Sequence, residues 1–502
     1  MSKRKKITRR NLLKGFAAAG VGAAFGIPRA VRALGSSTAK AAKKPKFVIV
    51  IGGFGGASII DSFLAIREGE CNDPMNINAF PDAEVVDING SPFRAVTTSG
   101  STIGALPFAF TADQTGFVNK HKQDMLVATA TGTSVNHAVA QKRSITGNGA
   151  WSGRTLQEAV AAEYGSGMLV PNVNMATLGF LEKGDDQSLP DFAFPEPVAD
   201  PALWSLSLNG SKGIKGAPDN VLINAARDLR DRKLDPESTF ARTFGTNPRI
   251  QRWLKQRSLR PDLEAGNLIS KLNMLTDSPD YPFAEYGLTP SQDAARLATA
   301  FPLMQDDPLE AQAALAFLLI KNRVSVSVTM APTFSLVVTD DGSGADLANP
   351  PLAFDYSHNA HRPTQAVMWK RTLSIADRLI DLLKSEPFDE TTGESFWDRS
   401  LIYVATDFGR GKRREGGAAV FSSGHHLNNG NLIISPMVKG NTLLGGVDKN
   451  TGLTYGWNTG DGTPLPNEEN GLADIYSGML TALDVDTSGS GLANVTAIAK
   501  GS

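Results

Sequence analysis

Four polar stretches of the sequence combine the residue types that bind divalent metals and hydrolyse esters. Five of the six histidines of the chain fall within them, and only His121 lies outside. The stretches are "GGFGGASIID" with Asp61, "GTSVNHAVAQKRSITG" with Ser134 and His137, "FDYSHNAH" with Asp355, His358 and His361, and "TDFGR" followed by "GHH" with Asp407, Arg410, His425 and His426.

Carboxylates and imidazoles from separate loops hold a divalent ion and leave a position open for substrate or water. The sequence leaves the number of bound ions open among none, one and two, and it leaves their identity open among Zn, Mn, Mg and Ca. A hydroxyl at the start of a helix is a candidate nucleophile, because free N–H groups there hold an anion. Ser134 is the first choice, with Thr133 and His137 competing. The guanidinium of Arg410 is predicted to bind the tetrahedral anionic group of the ester substrate.

Structural roles for the same residues stay open at this point. His425 and His426 could cap loops, and Asp407 with Arg410 could form an ion pair that closes a loop. Ser134 is an ordinary helix N-cap residue, and Asp61 suits the first turn of a helix.

Buried strands alternate with amphipathic helices in the elements that must position these residues. "KFVIVIGG", "DMLVATATG", "SVSVTM" and "SLIYVATDFGR" read as strands, and "TQAVMWKRTLSIADRLIDLLKSEPF" as a helix. This alternation predicts an α/β fold with a mainly parallel central sheet flanked by helices, and chemistry at the carboxyl ends of the strands. Residues 46–150 and 321–502 are the predicted parts of this domain, and residues 151–320 a helix-rich insertion or cap.

The first 33 residues carry nine Lys or Arg and no acid, including the pair in "TRRNLLKGFAAAGVGAAFG". This pattern predicts a twin-arginine signal peptide over residues 1–33, followed by a flexible lead-in over 34–45. We therefore expect a periplasmic or secreted protein that engages the twin-arginine translocase during export. The apolar run is short for a membrane span, so no stable membrane anchor is expected.

The charge balance and the cysteine content limit the partners and the covalent cross-links that the chain can have. Without the nine leader cations, 41 basic residues remain against 51 acidic ones, which argues against a nucleic-acid partner. Cys71 is the one cysteine, so an internal disulfide is excluded.

Several motifs in order resemble a bacterial family called domain of unknown function 1501. They are "AALAFLLIKNRVSVSVTM", "FDYSHNAH", "LIYVATDFGR", "GHHLNNGNLIISPMVKGNTLLGGVD" and "DIYSGMLTALDVD". The resemblance implies an alkaline-phosphatase-like fold and a twin-arginine leader. It further implies that Asp355, His358 and one of His425 or His426 ligate one metal, with Asp61 and Asp407 at a second. Phe408 stands where the alkaline phosphatase superfamily has a metal-ligating histidine.

Two functions follow as hypotheses. The first is an exported metal-dependent hydrolase of phosphate or sulfate esters, acting on a small anionic ester. The second is a non-catalytic exported binding or surface-assembly protein with a degenerate metal site, which Phe408 favours.

Overall fold

The computed structural model describes residues 43–501 apart from 103–108, 208–217, 248–249, 252–253, 255–267, 333–336, 339–344, 347–352 and 419. The predicted signal peptide and most of the predicted lead-in lie outside the described residues. Nothing among the described helices combines the length and the apolar character that crossing a bilayer requires.

An eight-stranded sheet forms the centre of the protein. Its strands, in chain order β1 to β8, are Phe47–Gly53, Met125–Thr131, Asn172–Asn174, Glu196–Pro197, Ser327–Met330, Ser400–Thr406, Asn428–Ile434 and Thr442–Leu444. They lie in the order β8-β2-β7-β6-β1-β5-β3-β4 across the sheet. All neighbours run parallel except β7, which is antiparallel to both β2 and β6. The prediction of an α/β fold with a mainly parallel sheet is therefore confirmed.

Strand β1 is central because its side chains suit burial on both faces. Every residue from Phe47 to Gly53 is buried, and the strand pairs in register with β6 from Phe47 opposite Ser400 to Gly53 opposite Thr406. The apolar run in the sequence predicted this strand, since burial on both faces removes the usual alternation of polar residues.

Helices cover the sheet. The six helices that we number α1 to α6 are Thr115–His121, His137–Thr146, Leu156–Tyr164, Pro308–Lys321, His361–Lys384 and Leu472–Ala482. Helix α4 is buried on all sides from Leu309 to Ile320, as expected for a stretch without a polar face. Helix α5 buries Leu373, Leu379 and Leu383, three of the four apolar positions whose helical spacing predicts it, and the fourth, Val367, is half-buried.

The described chain also contains further α-helices and several small sheets. The remaining α-helices are Ala150–Gly153, Trp204–Ser207, Asn220–Leu229, Asp235–Glu237, Thr239–Phe244, Leu268–Leu272 and Ala294–Ala300, with a π-helical turn at Arg230–Leu234. Small sheets join Val85–Asp87, Arg94–Thr102 and Ala109–Asp113, then Gly446–Val447, Thr454–Trp457 and Pro464–Leu465. Two-stranded sheets pair Pro387–Asp389 with Glu394–Ser395, Val337–Val338 with Ala345–Asp346, and Gly409–Arg410 with His425–His426.

Residues 151–320 are rich in helix where they are described, and they also supply β3 and β4 at one side of the central sheet. Helices α3 and α4 belong to the same stretch. Both pack on the sheet, and α4 also packs on α5. The predicted insertion therefore contributes to the α/β core.

One edge of the sheet collects the polar loops. The parallel strands β1, β2 and β6 end there at Gly53, Thr131 and Thr406, and the antiparallel β7 begins there at Asn428. His137, Asp407 and the two adjacent histidines lie a few residues beyond those points, so the strands bring them to one rim.

Candidate metal centre

Five polar side chains meet at this rim: His137, Asp355, His358, Arg410 and His425. They come from the start of α2, from the short 3-10 helix Ala353–His358 before α5, and from the small sheet of Gly409–Arg410 with His425–His426. Three of the four polar stretches that the sequence analysis identified supply these side chains, and the structure brings them into contact.

His137 is the first residue of α2 and lies between two carboxylates. Its Nδ1 is 2.8 Å from Asp407 Oδ2, and its Nε2 is 3.3 Å from Asp355 Oδ1. The sequence predicts a helix start near Ser134, and the helix begins three residues later. Its N-cap is Asn136, whose side chain accepts the N–H of Val139, so Ser134 is not the N-cap residue.

Asp407 is fully buried and orients His137. Besides the imidazole, its two oxygens accept the backbone N–H groups of Gly55 at 3.0 Å and Gly56 at 2.6 Å. Both glycines have positive φ, and a Cβ atom on Gly55 would overlap the backbone of Asp355. Asp407 thus holds one nitrogen of His137, as outer carboxylates hold metal-binding histidines.

Arg410 is fully buried and holds Asp355 in place. Its Nη2 donates to Asp355 Oδ1 at 2.9 Å, and its other contacts are His358 Nε2 at 3.3 Å and the carbonyl oxygens of Gly55, Phe354 and Ser423. Since the guanidinium has no exposed side, this placement favours a positioning role over the predicted role of holding a substrate anion.

The hydrogen-bond partner of His425 determines which of its ring nitrogens carries a proton. His425 Nδ1 lies 2.9 Å from the carbonyl oxygen of Val135, which can only accept, so Nδ1 is the protonated nitrogen and Nε2 of the neutral ring presents a lone pair. His358 Nε2 lies 2.8 Å from His425 Nε2 and 3.3 Å from Arg410 Nη1, and the tautomer of His358 decides whether it donates to the first or accepts from the second.

The charges of the cluster follow from its contacts. Burial opposes the charge on His137, but hydrogen bonds to Asp355 and Asp407 raise its pKa to about 9. Burial also opposes the charge on Asp355, yet His137 and Arg410 lower its pKa to about 2. Burial, together with the nearby Arg410, lowers the pKa of both His358 and His425, so their neutral forms are favoured.

Three ligand atoms, one each from His137, Asp355 and His425, lie within 4.8 Å of one another. Across the part of the chain that the structure describes, this is the one group of three or more His, Cys, Asp or Glu ligands so close together. Each of the three side chains keeps between 21 and 29% of its surface exposed, so the group is open on one side. Two imidazoles and a carboxylate in an open arrangement suit a divalent transition metal.

Asp61 lies in a different buried cluster. Its Oδ1 accepts from Asn78 at 2.8 Å and lies 3.1 Å from His361 Nε2. Burial opposes its charge, but His361, Ser58 and Asn78 lower its pKa to about 2. The structure gives no contact between Asp61 and Asp407 among the described residues, so it does not bring the second predicted ligand pair together.

His426 and the candidate hydroxyls also lie outside the group. In the short strand the two histidines point to opposite sides, and His426 Nδ1 accepts the N–H of Asn428 at 3.1 Å. Ser134 Oγ accepts the N–H of Asn136, whereas Thr133 Oγ1 donates to Asn148 at 2.6 Å.

Several contacts of the centre could not be predicted from the types of side chain in the sequence. The Val135 and Ser423 contacts use backbone carbonyl oxygens, which are the same in every residue. Phe408 stacks on His425 with ring centroids 4.0 Å apart, and Phe54 packs against His137 at 5.2 Å.

A scan against protein-family models finds no match for the sequence, and a search of the curated proteins finds none either.

Proposed function

We propose that His137, Asp355 and His425 form a divalent-metal centre, and that the protein is an exported metal-dependent hydrolase of small phosphate or sulfate esters. The observation that carries the proposal is the approach of three ligand atoms, from three separate segments, to within 4.8 Å. The sequence resemblance to domain of unknown function 1501 implies an alkaline-phosphatase-like scaffold, on which a metal-dependent ester hydrolase would fit, and a twin-arginine leader, which would account for export.

The unprotonated nitrogen of His425 supports a cation at this position. Its Nδ1 lies 2.9 Å from the carbonyl oxygen of Val135, so Nε2 presents the lone pair, and the lowered pKa of the ring favours the neutral form that a metal ligand needs. His358 also lies 3.5 Å from Asp355 Oδ1, so it is placed to serve as an additional ligand.

When bound, a divalent cation supplies Lewis-acid chemistry that activates water and stabilises negative charge on the reacting ester. The residues of the chain then have separate tasks. Asp407 fixes the ring of His137, and Arg410 fixes the carboxylate of Asp355. Ser134 remains the candidate nucleophile from the sequence, although its Oγ accepts the N–H of Asn136 and contacts none of the three ligands among the described residues.

A binding protein without catalysis is the second candidate, and two observations favour it. All the contacts of Arg410 are internal, so it offers the anion no N–H group. Phe408 covers one face of His425 where the resemblance would place a metal-ligating histidine.

Metal analysis and hydrolysis assays on the mature protein separate the two. We expect one divalent ion per chain, and turnover of chromogenic phosphate or sulfate esters with added Zn²⁺, Mn²⁺, Mg²⁺ or Ca²⁺. Bound metal without turnover would support the non-catalytic binding protein. Absence of both metal and turnover would refute the proposed metal centre.

Two variants then assign the roles. Asp355→Ala should abolish turnover while the protein stays folded. Ser134→Ala should abolish it only if Ser134 is the nucleophile, and an unchanged rate would assign the attack to water.

A further inference from the structure

The loop that follows β1 contacts both residues that orient the metal ligands. We call residues 54–59 the glycine loop. The N–H groups of Gly55 and Gly56 donate to the carboxylate of Asp407, and the carbonyl oxygen of Gly55 accepts from Arg410 Nε at 2.9 Å. Asp407 and Arg410 in turn hold two of the three converging ligands. A shift of the glycine loop would therefore move ligands from two separate segments at once.

The side chain of Gln365 is fully buried on α5 and binds the glycine loop through both ends of its amide. Its Oε1 accepts the N–H of Ser58 at 3.0 Å, and its Nε2 donates to the carbonyl oxygen of Gly56 at 2.9 Å. The same Nε2 donates to Ser357 Oγ at 3.0 Å, and Ser357 lies in the 3-10 helix Ala353–His358, which supplies two residues of the metal centre. The amide therefore uses its oxygen and both of its N–H groups to join the glycine loop to that helix.

A second buried amide, that of Asn429 on β7, binds the glycine loop in the same way one residue further along. Its Oδ1 accepts the N–H of Ile59 at 3.0 Å, and its Nδ2 donates to the carbonyl oxygen of Ala57 at 2.8 Å. The same Nδ2 lies 3.2 Å from the carbonyl oxygen of Phe408. Two side-chain amides thus satisfy four buried backbone groups of the loop, each of which would be costly to leave unpaired.

We propose that Gln365 is a positioning residue of the metal centre, because it fixes the glycine loop against the 3-10 helix from which Asp355 extends. This inference rests on the proposed metal centre and not on the reaction performed there. Among the described residues, the hydrogen bonds of Gln365 go to the glycine loop and to Ser357, so it acts on the ligands through these groups. Ligand atoms converge on a metal only when the groups behind them are themselves held in place.

Gln365→Met tests the proposal in the mature full-length protein, because methionine has a side chain of similar length but makes none of the three hydrogen bonds. We expect the Kd for Zn²⁺, measured by calorimetry, to rise about 10-fold or more. The visible absorption spectrum of bound Co²⁺ should also change, since it reports the coordination geometry. The matched control Gln312→Met removes another buried glutamine, whose Oε1 accepts the N–H of Ala331 at 2.8 Å. This control should bind Zn²⁺ within about two-fold of the wild type.

Ser357→Ala is a milder test, which decides the question if Gln365→Met does not fold. It removes one acceptor of Gln365 Nε2 and leaves the contacts of the amide with the glycine loop. We expect the Zn²⁺ affinity to fall about three-fold. The double variant should lose little more affinity than Gln365→Met alone, because both changes break the same connection.

The outcomes separate this inference from the proposed metal centre. A folded Gln365→Met variant with wild-type Zn²⁺ affinity would overturn the inference, and so would equal losses of affinity in Gln365→Met and Gln312→Met. Unchanged affinity in Ser357→Ala would overturn the connection to the 3-10 helix. Wild-type protein that binds no Zn²⁺ would refute the metal centre and this inference with it, whereas wild-type binding with unaffected variants would refute the inference alone.

Discussion

His425 Nδ1 lies 2.9 Å from the carbonyl oxygen of Val135, and this contact leaves Nε2 as the nitrogen free to bind a metal. The adjacent His426 has the reverse arrangement, with Nδ1 accepting the N–H of Asn428. The two neighbouring histidines are therefore not equivalent, although nothing in the sequence distinguishes their roles.

The first prediction uses this difference. His425→Ala should weaken binding of Zn²⁺ or Mn²⁺ by about 100-fold, because it removes one of the three converging ligands. His426→Ala is the matched control and should leave the affinity within about two-fold. Isothermal titration calorimetry of the mature protein measures both, and equal losses in the two variants would refute the assignment.

The second prediction concerns Asp407. Asp407→Asn should lower metal affinity by about 10- to 100-fold, because an amide holds the ring of His137 less firmly than a carboxylate does. Asp377→Asn is the control, since Asp377 makes a similar 2.6 Å contact with His121 on another part of the surface. The control should keep full metal affinity, and an unchanged affinity in Asp407→Asn would contradict the orienting role.

The third prediction concerns pH. In metal-free protein, hydrogen bonds to Asp355 and Asp407 outweigh burial and raise the pKa of His137 to about 9. Because the folded-state pKa lies above the ordinary value of 6.5, the stabilisation is fully present below pH 6.5 and is lost as pH rises through 9.

Nuclear magnetic resonance titration of His137 should therefore give a midpoint near 9 in protein treated with a chelator. Saturating Zn²⁺ should remove the titration, because a ligating nitrogen carries no proton. A midpoint near the ordinary value, or one unchanged by Zn²⁺, would contradict the placement of the ring.

The fourth prediction concerns Arg410. Arg410→Gln should lower the free energy of unfolding by about 3 kcal/mol, because it removes a buried guanidinium and leaves several carbonyl oxygens without a donor. Chemical denaturation of the metal-free protein measures this loss. If Arg410 instead faces a substrate anion, the variant should unfold like the wild type and lose only activity.

The sequence predicted those parts of the fold that depend on local apolar pattern. The run from Phe47 to Ile51 identified the central strand, and Leu373, Leu379 and Leu383 identified the face of α5. The short strands Asn172–Asn174 and Glu196–Pro197 were not predicted, because two or three residues are too few to show an alternation of apolar and polar side chains.

The candidate site was predicted in part for a similar reason. Strand ends indicated which loops meet, and the structure brings His137, Asp355 and His425 together, whereas His426 lies outside the group. Sequence spacing does not show which way a side chain points beyond the strand. Asp61 therefore turned out to face His361 in the interior, and the choice between His425 and His426 depended on backbone contacts.

Anomalous diffraction from crystals of the mature protein grown with Zn²⁺ tests the metal centre most directly. We predict one peak per chain at coordination distance, about 2.0–2.2 Å, from His137 Nε2, an Asp355 oxygen and His425 Nε2. A chain with no peak there, or with its only peak beside Asp61 or His426, would contradict the proposed centre.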